Sequence, residues 1–211
     1  MSGGRIITTL DDVEEGMAYL ARLDPRLATA WDVAGPLPLR RTDDGFQHLF
    51  SKIVSQQVST ASAAAIWARI EAAGLLSEAA VRAAGEDGLR AVGLSRQKIA
   101  YALALADAGI DYAGLRDLPD AEIVRILTEV KGIGVWTAEI YGMFALGRAD
   151  MFAPGDLALQ IAAQAIFDLP DRPTEKALRV MAEDWSPWRS VAARLFFTYY
   201  RHLKGREGVT G

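Results

Sequence analysis

The sequence predicts an all-α fold, and three observations carry the prediction. Ala and Leu dominate a chain of 211 residues that is 51% hydrophobic, a composition that favours helix. β-Branched runs are short. Helix-period apolar stripes follow one another through short loops, and no alternating strand pattern interrupts them.

Residues 9–23 read as the first helix, with Thr9 or Asp11 as cap and acids in the first turn. Residues 25–41 carry Pro25, Pro36 and Pro38 and read as irregular, apart from a short helix near Leu27–Val33. The period resumes at Gly45 through Phe46, Leu49, Phe50, Ile53 and Val54. Gln56-Gln57-Val58-Ser59 breaks it before a helix over 60–73. Short helices over 77–84 and 86–91 are punctuated by Gly85 and Gly93. Ser95 caps a helix over 95–109, and short helices follow near 111–115 and 120–130. A turn at 131–134 leads into a helix from 135 to about 146, then a loop through Arg148-Ala149-Asp150. Asp156 opens a helix to about 167. Pro170 and Pro173 break the chain, and helices near 174–183 and 187–204 close it.

Composition excludes several chemistries. With no cysteine there is no disulfide framework, thiol nucleophile, cysteine-bound zinc or iron–sulfur cluster. The two histidines, His48 and His202, make no metal-ligand spacing. No apolar run reaches the roughly 18 residues of a membrane span, and Met1-Ser2-Gly3-Gly4-Arg5 lacks a signal pattern. A soluble cytoplasmic protein without membrane partners is expected. The net charge is −4, from 23 Lys and Arg against 27 Asp and Glu. The charge is uneven: Arg172, Lys176, Arg179, Arg189, Arg194, Arg201, Lys204 and Arg206 face only Glu175, Glu183 and Asp184 in that stretch. It reads either as an ordinary helical surface or as a basic rim.

The densest signal is Val130-Lys131-Gly132-Ile133-Gly134-Val135-Trp136-Thr137. Glycine accepts positive φ and close approach, and the first N–H groups of the helix that follows have no partner within it. Together with the helix dipole they favour an anion without cationic side chains. Ile133 is expected to anchor the turn in the core. Phe152-Ala153-Pro154-Gly155-Asp156 follows about twenty residues later. There Asp156 is expected to cap a helix, to act as a catalytic carboxylate, or both.

These residues resemble the helix-hairpin-helix DNA glycosylase superfamily. Leu127-x-x-Val130-Lys131-Gly132-Ile133-Gly134-x-x-Thr137-Ala138 is similar to its hairpin, and Phe152–Asp156 to its Gly/Pro-rich loop and aspartate. Ile53 to Ser59 resembles the segment carrying its DNA-wedging loop, and Gly93-Leu94-Ser95-x-x-Lys98 a following turn. Trp185-Ser186-Pro187-Trp188-Arg189-Ser190 is similar to a signature of the alkylation-repair branch, the 3-methyladenine DNA glycosylase II type. The resemblance covers about residues 45–203.

The resemblance implies a two-lobed helical fold without an N-terminal β domain. Residues 43–150 would form one lobe, and 1–42 with 151–211 the other, across a cleft holding Asp156. It implies a monofunctional enzyme that flips alkylated purines, 3-methyladenine and 7-methylguanine, out of duplex DNA and hydrolyses the glycosidic bond. Trp136 stands where bifunctional members carry a lysine nucleophile, so no lyase step is expected. Asp156 is the implied catalytic carboxylate. Trp136 and Phe197 are implied pocket aromatics, whereas Ile140 and Leu157 are aliphatic where aromatics are expected. Tyr141, Trp31, Phe152, Tyr199 and Tyr200 are further aromatic candidates. The implied DNA contacts are Gln56, Gln57 as the wedge, Ser59, Lys131, Gly132, Gly134 and Thr137. Backbone carbonyls of Thr128, Val130 and Ile133 are an implied site for Na+ or another cation, with no cofactor required and a monomer expected. Two alternatives stay open: a non-catalytic DNA-binding module, and a glycosylase for hypoxanthine or uracil.

Overall fold

A computed structural model describes residues 4–207, with side chains through Gly205. Met1–Gly3 of the N-terminal reading and the Arg206 side chain of the basic stretch lie outside the described residues. Eleven α-helices are present among the described residues, and no strand. None of the helices is long and apolar enough to cross a membrane. The chain separates into two compact units: Thr42–Tyr141, and Gly4–Arg41 with the chain from Gly142 onward.

The first unit contains α3 (Phe46–Ser55), α4 (Thr60–Ala72), α5 (Glu78–Ala91), α6 (Arg96–Asp107), α7 (Asp120–Thr128) and the opening of α8 (Val135–Phe144). Its core is the apolar stripe of α3 (Leu49, Phe50, Ile53, Val54) with Ile70, Val81, Leu89, Ile99, Ala102 and Leu105, all buried. Helices α4 and α6 begin where Ser59 and Ser95 accept the N–H of Ser62 and Lys98. The two short helices expected around Gly85 are one element with a kink at that residue. The helix expected near 111–115 is a single 3-10 turn, Gly114–Asp117. Lys98 is buried, and its Nζ donates to the Val54 carbonyl at 2.6 Å. That bond ties α6 to the end of α3, immediately before Gln56.

His48 in this unit sits edge-on to Tyr141, with ring centroids 5.5 Å apart. Its Nε2 is buried without a hydrogen-bond partner. Burial, helped by Lys52, pushes its pKa down from 6.5 to about 4. Because the folded state holds His48 neutral, the stability it contributes is complete above pH 6.5 and is lost as pH falls from 6.5 to about 4. His48→Gln is therefore expected to flatten the acid side of a plot of melting temperature against pH in that window. A variant curve parallel to the parent's would contradict this.

The second unit contains α1 (Leu10–Leu23), α2 (Pro25–Ala34), the end of α8, α9 (Leu157–Ile166), α10 (Glu175–Met181) and α11 (Arg189–Glu207). A capping box starts α1: Asp12 N–H donates to Thr9 Oγ1, and the Asp12 carboxylate accepts from the N–H groups of Thr8 and Thr9. Those donors, that of Thr8 first, hold the Asp12 carboxyl well below the usual range. Asp24 caps α2, so this helix runs longer than the Leu27–Val33 expected. Phe152, Phe167, Trp185 and Phe196 form the core cluster, with Trp185 5.0 Å from Phe196 and stacked at 5.8 Å on Phe167.

The boundary after the hairpin falls inside α8 rather than at 150. The cause is local. Arg148 N–H bonds the Gly142 carbonyl, Ile7 N–H bonds the Gly147 carbonyl, and Ala149 N–H bonds the Arg5 carbonyl. The stretch 142–149 thus folds with the N-terminal segment. The Met151 side chain fills the space where Gly142 lacks a Cβ.

The basic stretch Arg172–Arg206 is mixed: Arg172, Lys176, Arg179, Arg201 and Lys204 are exposed, and Arg189 and Arg194 are not. Arg194 is fully buried, Arg189 bonds Asp150 through two contacts of 2.7 Å, and Arg179 pairs with Glu175 at 3.0 Å.

Candidate active site

In the first unit the turn between α7 and α8 is closed by Val130 N–H to the Leu127 carbonyl and Ile133 N–H to the Val130 carbonyl. Ile133 is buried and anchors the turn. Gly132 has φ +99°, and a Cβ there would lie 2.6 Å from Tyr101 Cδ2, so both backbone and space demand glycine. Gly134 is different. It lies outside the positive-φ set, and a Cβ on it would meet nothing within 4 Å. No internal packing requires glycine there, and the backbone is open to close approach from outside. The helical ladder of α8 starts with Ala138 N–H to the Gly134 carbonyl, which leaves the N–H groups before it outside the ladder. Lys131 and Gly134 are exposed beside this turn.

Two residues expected at DNA have other positions. Gln56 Nε2 donates to the Gly132 carbonyl at 3.0 Å, so its amide braces the hairpin instead of reaching outward. Thr137 is only 5% exposed, which removes its side chain from any surface contact. The reason is that α8 is apolar on nearly every face and is buried almost from its first turn. Ser59 is exposed but acts as the α4 cap, its hydroxyl accepting the Ser62 N–H at 3.2 Å and donating to Ser62 Oγ at 2.9 Å. Gln57 is exposed with φ 55°, a left-handed conformation that costs a non-glycine residue about 1–2 kcal/mol. Strain of this kind collects at functional loops. Behind it lies a hollow of about 270 Å³ lined by Gln56, Gln57, Ser95 and Lys98 among others.

Trp136 opens α8 at 43% exposure, an unusual placement for a large ring. Ile140, one turn later, is buried. Tyr141, a further aromatic candidate, is fully buried, and its hydroxyl accepts the Gly45 N–H at 2.9 Å; it serves packing.

In the second unit Asp156 caps α9. Its Oδ1 accepts the Ala158 N–H at 2.9 Å, and its own N–H donates to the Ala153 carbonyl at 3.0 Å. Gln160 Nε2 donates to the Pro154 carbonyl at 2.8 Å, which fixes the preceding loop. The carboxylate is thus held rigidly at a helix N-terminus and is half-buried. Leu157 beside it is 53% exposed.

Phe197 is half-buried, 6.1 Å from Phe144. Arg40 was missed in the sequence: its guanidinium lies 4.4 Å from the centroids of both rings. Phe152 and Trp185 belong to the core cluster, and Trp188 carries Arg5 at 4.2 Å from its ring centroid; these are packing residues. Trp31 lines a separate hollow of about 430 Å³ with Leu10 and Leu37, against α1. Tyr199 and Tyr200 are half-buried on α11. Among the described residues, no group of three or more His, Asp and Glu is arranged to hold a metal ion.

A rigid carboxylate can stabilise a positive charge developing beside it and can orient or deprotonate a water. Helix N–H groups beside an open glycine can take a phosphate. Comparison with known proteins agrees in kind. The model of the HhH-GPD superfamily base excision DNA repair protein matches residues 50–188. The putative DNA-3-methyladenine glycosylase YfjP of Bacillus subtilis is 31% identical over 109 residues, which cover 50% of this chain and 38% of that relative. The chain therefore spans less than half the length of that curated relative. The crystal structure of a DNA-3-methyladenine glycosidase from Bacillus halodurans superposes with TM-score 0.83 at 29% identity, covering 90% of this chain and 91% of the other. The 3-methyladenine DNA glycosylase Mag1 of Schizosaccharomyces pombe, in complex with abasic DNA, superposes with TM-score 0.72 at 26% identity, covering 86% and 95%.

Proposed function

The chain belongs to the HhH-GPD superfamily of base excision DNA repair proteins, and from that premise we propose that it is a monofunctional DNA glycosylase releasing alkylated purines, 3-methyladenine and 7-methylguanine, from duplex DNA. The observation that carries the reading is Asp156: a half-buried carboxylate fixed by the Ala158 N–H, in the loop that follows the hairpin. The relatives named as 3-methyladenine glycosylases, one of them bound to abasic DNA, supply the substrate class.

The chemistry follows from charge. An N3- or N7-alkylated purine is cationic, so its bond to C1′ is already weak. The base leaves with the bonding electron pair as a neutral purine. The sugar left behind is oxocarbenium-like, and the Asp156 carboxylate stabilises it. Water adds at C1′, and its proton passes to the carboxylate or to solvent. Exposed Trp136 offers its ring to the cationic base. A tryptophan there supplies no amine, so no Schiff base forms and the strand stays intact. Exposed Gln57 is the proposed wedge into the gap left by the flipped base. Lys131, Gly134 and the start of α8 are the proposed phosphate grip.

No cofactor is needed for this reaction. The carbonyls of Thr128, Val130 and Ile133 fit a monovalent cation in one respect: after accepting the Ile133 N–H, the Val130 oxygen retains a second lone pair. Such an ion would brace the hairpin for DNA. We further propose that the protein acts as a monomer.

A duplex carrying a single 7-methylguanine tests the reading. After incubation the strand should remain whole until alkali is added and should then break at the lesion, with no adduct trapped by borohydride. A strand that resists alkali would favour a binding module, and a trapped adduct would overturn the monofunctional assignment.

A further inference from the structure

Asp156 is fixed from its own helix by the Ala158 N–H, but the loop that delivers it is fastened by a second carboxylate, Asp150. Residues 150–156 form neither helix nor strand. At the start of this stretch Arg189 grips Asp150 with a bidentate fork, Nε to Oδ1 and Nη2 to Oδ2, each at 2.7 Å. Ser186 Oγ donates to Asp150 Oδ2 at 2.8 Å. The same segment holds the loop on either side of Asp150. Ser190 N–H donates to the Ala149 carbonyl at 2.8 Å, and Trp185 meets the Phe152 ring edge-on, with centroids 5.4 Å apart. Ser186 is itself tied to α1, because Tyr19 Oη donates to its carbonyl at 3.2 Å. Residues 185–190 thus act as a clamp on residues 149–152.

Between the clamp and Asp156 the chain has little slack. Met151 to Pro154 are buried. The Ala153 carbonyl accepts the Asp156 N–H at 3.0 Å, so the clamped stretch bonds directly to the backbone that carries the carboxylate. A shift at Asp150 is passed on through close-packed residues instead of being absorbed. The ion pair serves geometry more than stability. Side-chain exposure is 33% for Arg189 and 26% for Asp150, and a pair so open to water adds little to folding. A bidentate fork nevertheless sets both a distance and an angle. A carboxylate beside a developing charge is sensitive to both, since a displacement of about 1 Å can cost about 10²-fold in rate. We propose that Asp150, through its fork with Arg189, is a positioning residue that sets where the Asp156 carboxylate stands. Asp150 acts through Asp156, so this role rests on the base-release reading of that carboxylate.

Two variants test the role from opposite sides of the fork. Asp150→Asn removes the charge that Arg189 grips, and Arg189→Lys, the milder change, keeps the charge and loses the fork. Each should lower single-turnover release of 7-methylguanine about tenfold, with duplex affinity unchanged. Amide exchange with solvent supplies a readout that does not depend on catalysis. The Ala158 amide, which donates to Asp156 Oδ1, should exchange faster in both variants. The Ala163 amide, later in α9, should keep its parental rate. Melting temperatures measured alongside separate a folding defect from a local shift. Parental release by both variants, or parental exchange at Ala158, would overturn the proposal and leave Asp150 a structural contact. So would faster exchange at Ala158 and Ala163 together with a lowered melting temperature. If the parent released no methylated purine while Ala158 alone exchanged faster in both variants, the base-release reading would fall and the hold of Asp150 on Asp156 would stand.

Discussion

Asp156→Asn is expected to lower single-turnover release of methylated purines by about 10²–10⁴-fold, the usual contribution of a positioned acid–base group, with duplex affinity essentially unchanged. Asparagine is chosen for a structural reason. Asp156 also caps α9 through the Ala158 N–H, and Asn is as good a cap as Asp. The variant thus removes the charge and keeps the helix start. Asp156→Ala would remove both, at a further cost of about 1 kcal/mol in stability. Quantitative release of base and a filter or fluorescence binding assay on the same preparations separate the two effects. If Asp156→Asn released base at the parental rate, Asp156 would be a cap and nothing more.

The two hairpin glycines are expected to respond in opposite ways. Gly132→Ala places a methyl against the Tyr101 ring at φ +99°, combining left-handed strain of about 1–2 kcal/mol with overpacking of about 1–3 kcal/mol. The first unit should lose stability measurably, and DNA binding should fall with it. Gly134→Ala adds a methyl that meets nothing within the protein, so stability should stay within about 0.5 kcal/mol. DNA affinity should nevertheless drop about tenfold, because the methyl stands where a phosphate would approach N–H donors whose bonds to charged groups are worth about 1.5–3 kcal/mol. Denaturant melts and DNA titrations of both variants check this. Equal stability losses in the two, or a Gly134→Ala protein that binds DNA as the parent does, would contradict a phosphate grip at this turn.

Local signals in the sequence marked the features that rest on local physics. Thr9, Ser95 and Asp156 all cap the helices they precede, because a cap is a contact over two or three residues. The hairpin was equally legible, since its two glycines and buried Ile133 act within one turn. What escaped the sequence depends on partners far along the chain. Gln56 finds the Gly132 carbonyl 76 residues away, which turns an expected DNA contact into a brace. Arg40 sits in a proline-containing stretch with no period, and its partners Phe144 and Phe197 lie on helices more than a hundred residues on. Thr137 was misplaced for another reason: α8 is buried nearly all round, so a polar residue on it gave no indication of a face. In the basic stretch composition counts charges without their partners: Arg194 is buried and Arg189 and Arg179 are paired, while Arg172, Lys176, Arg201 and Lys204 are exposed.

Water is expected to hydrolyse the glycosidic bond of alkylated purines under Asp156. Chromatography of the bases freed from randomly methylated duplex DNA tests it most directly. The parent protein should leave free 3-methyladenine and 7-methylguanine in the supernatant, and Asp156→Asn should leave neither. A supernatant without methylated purines from the parent, or identical yields from both proteins, would contradict it.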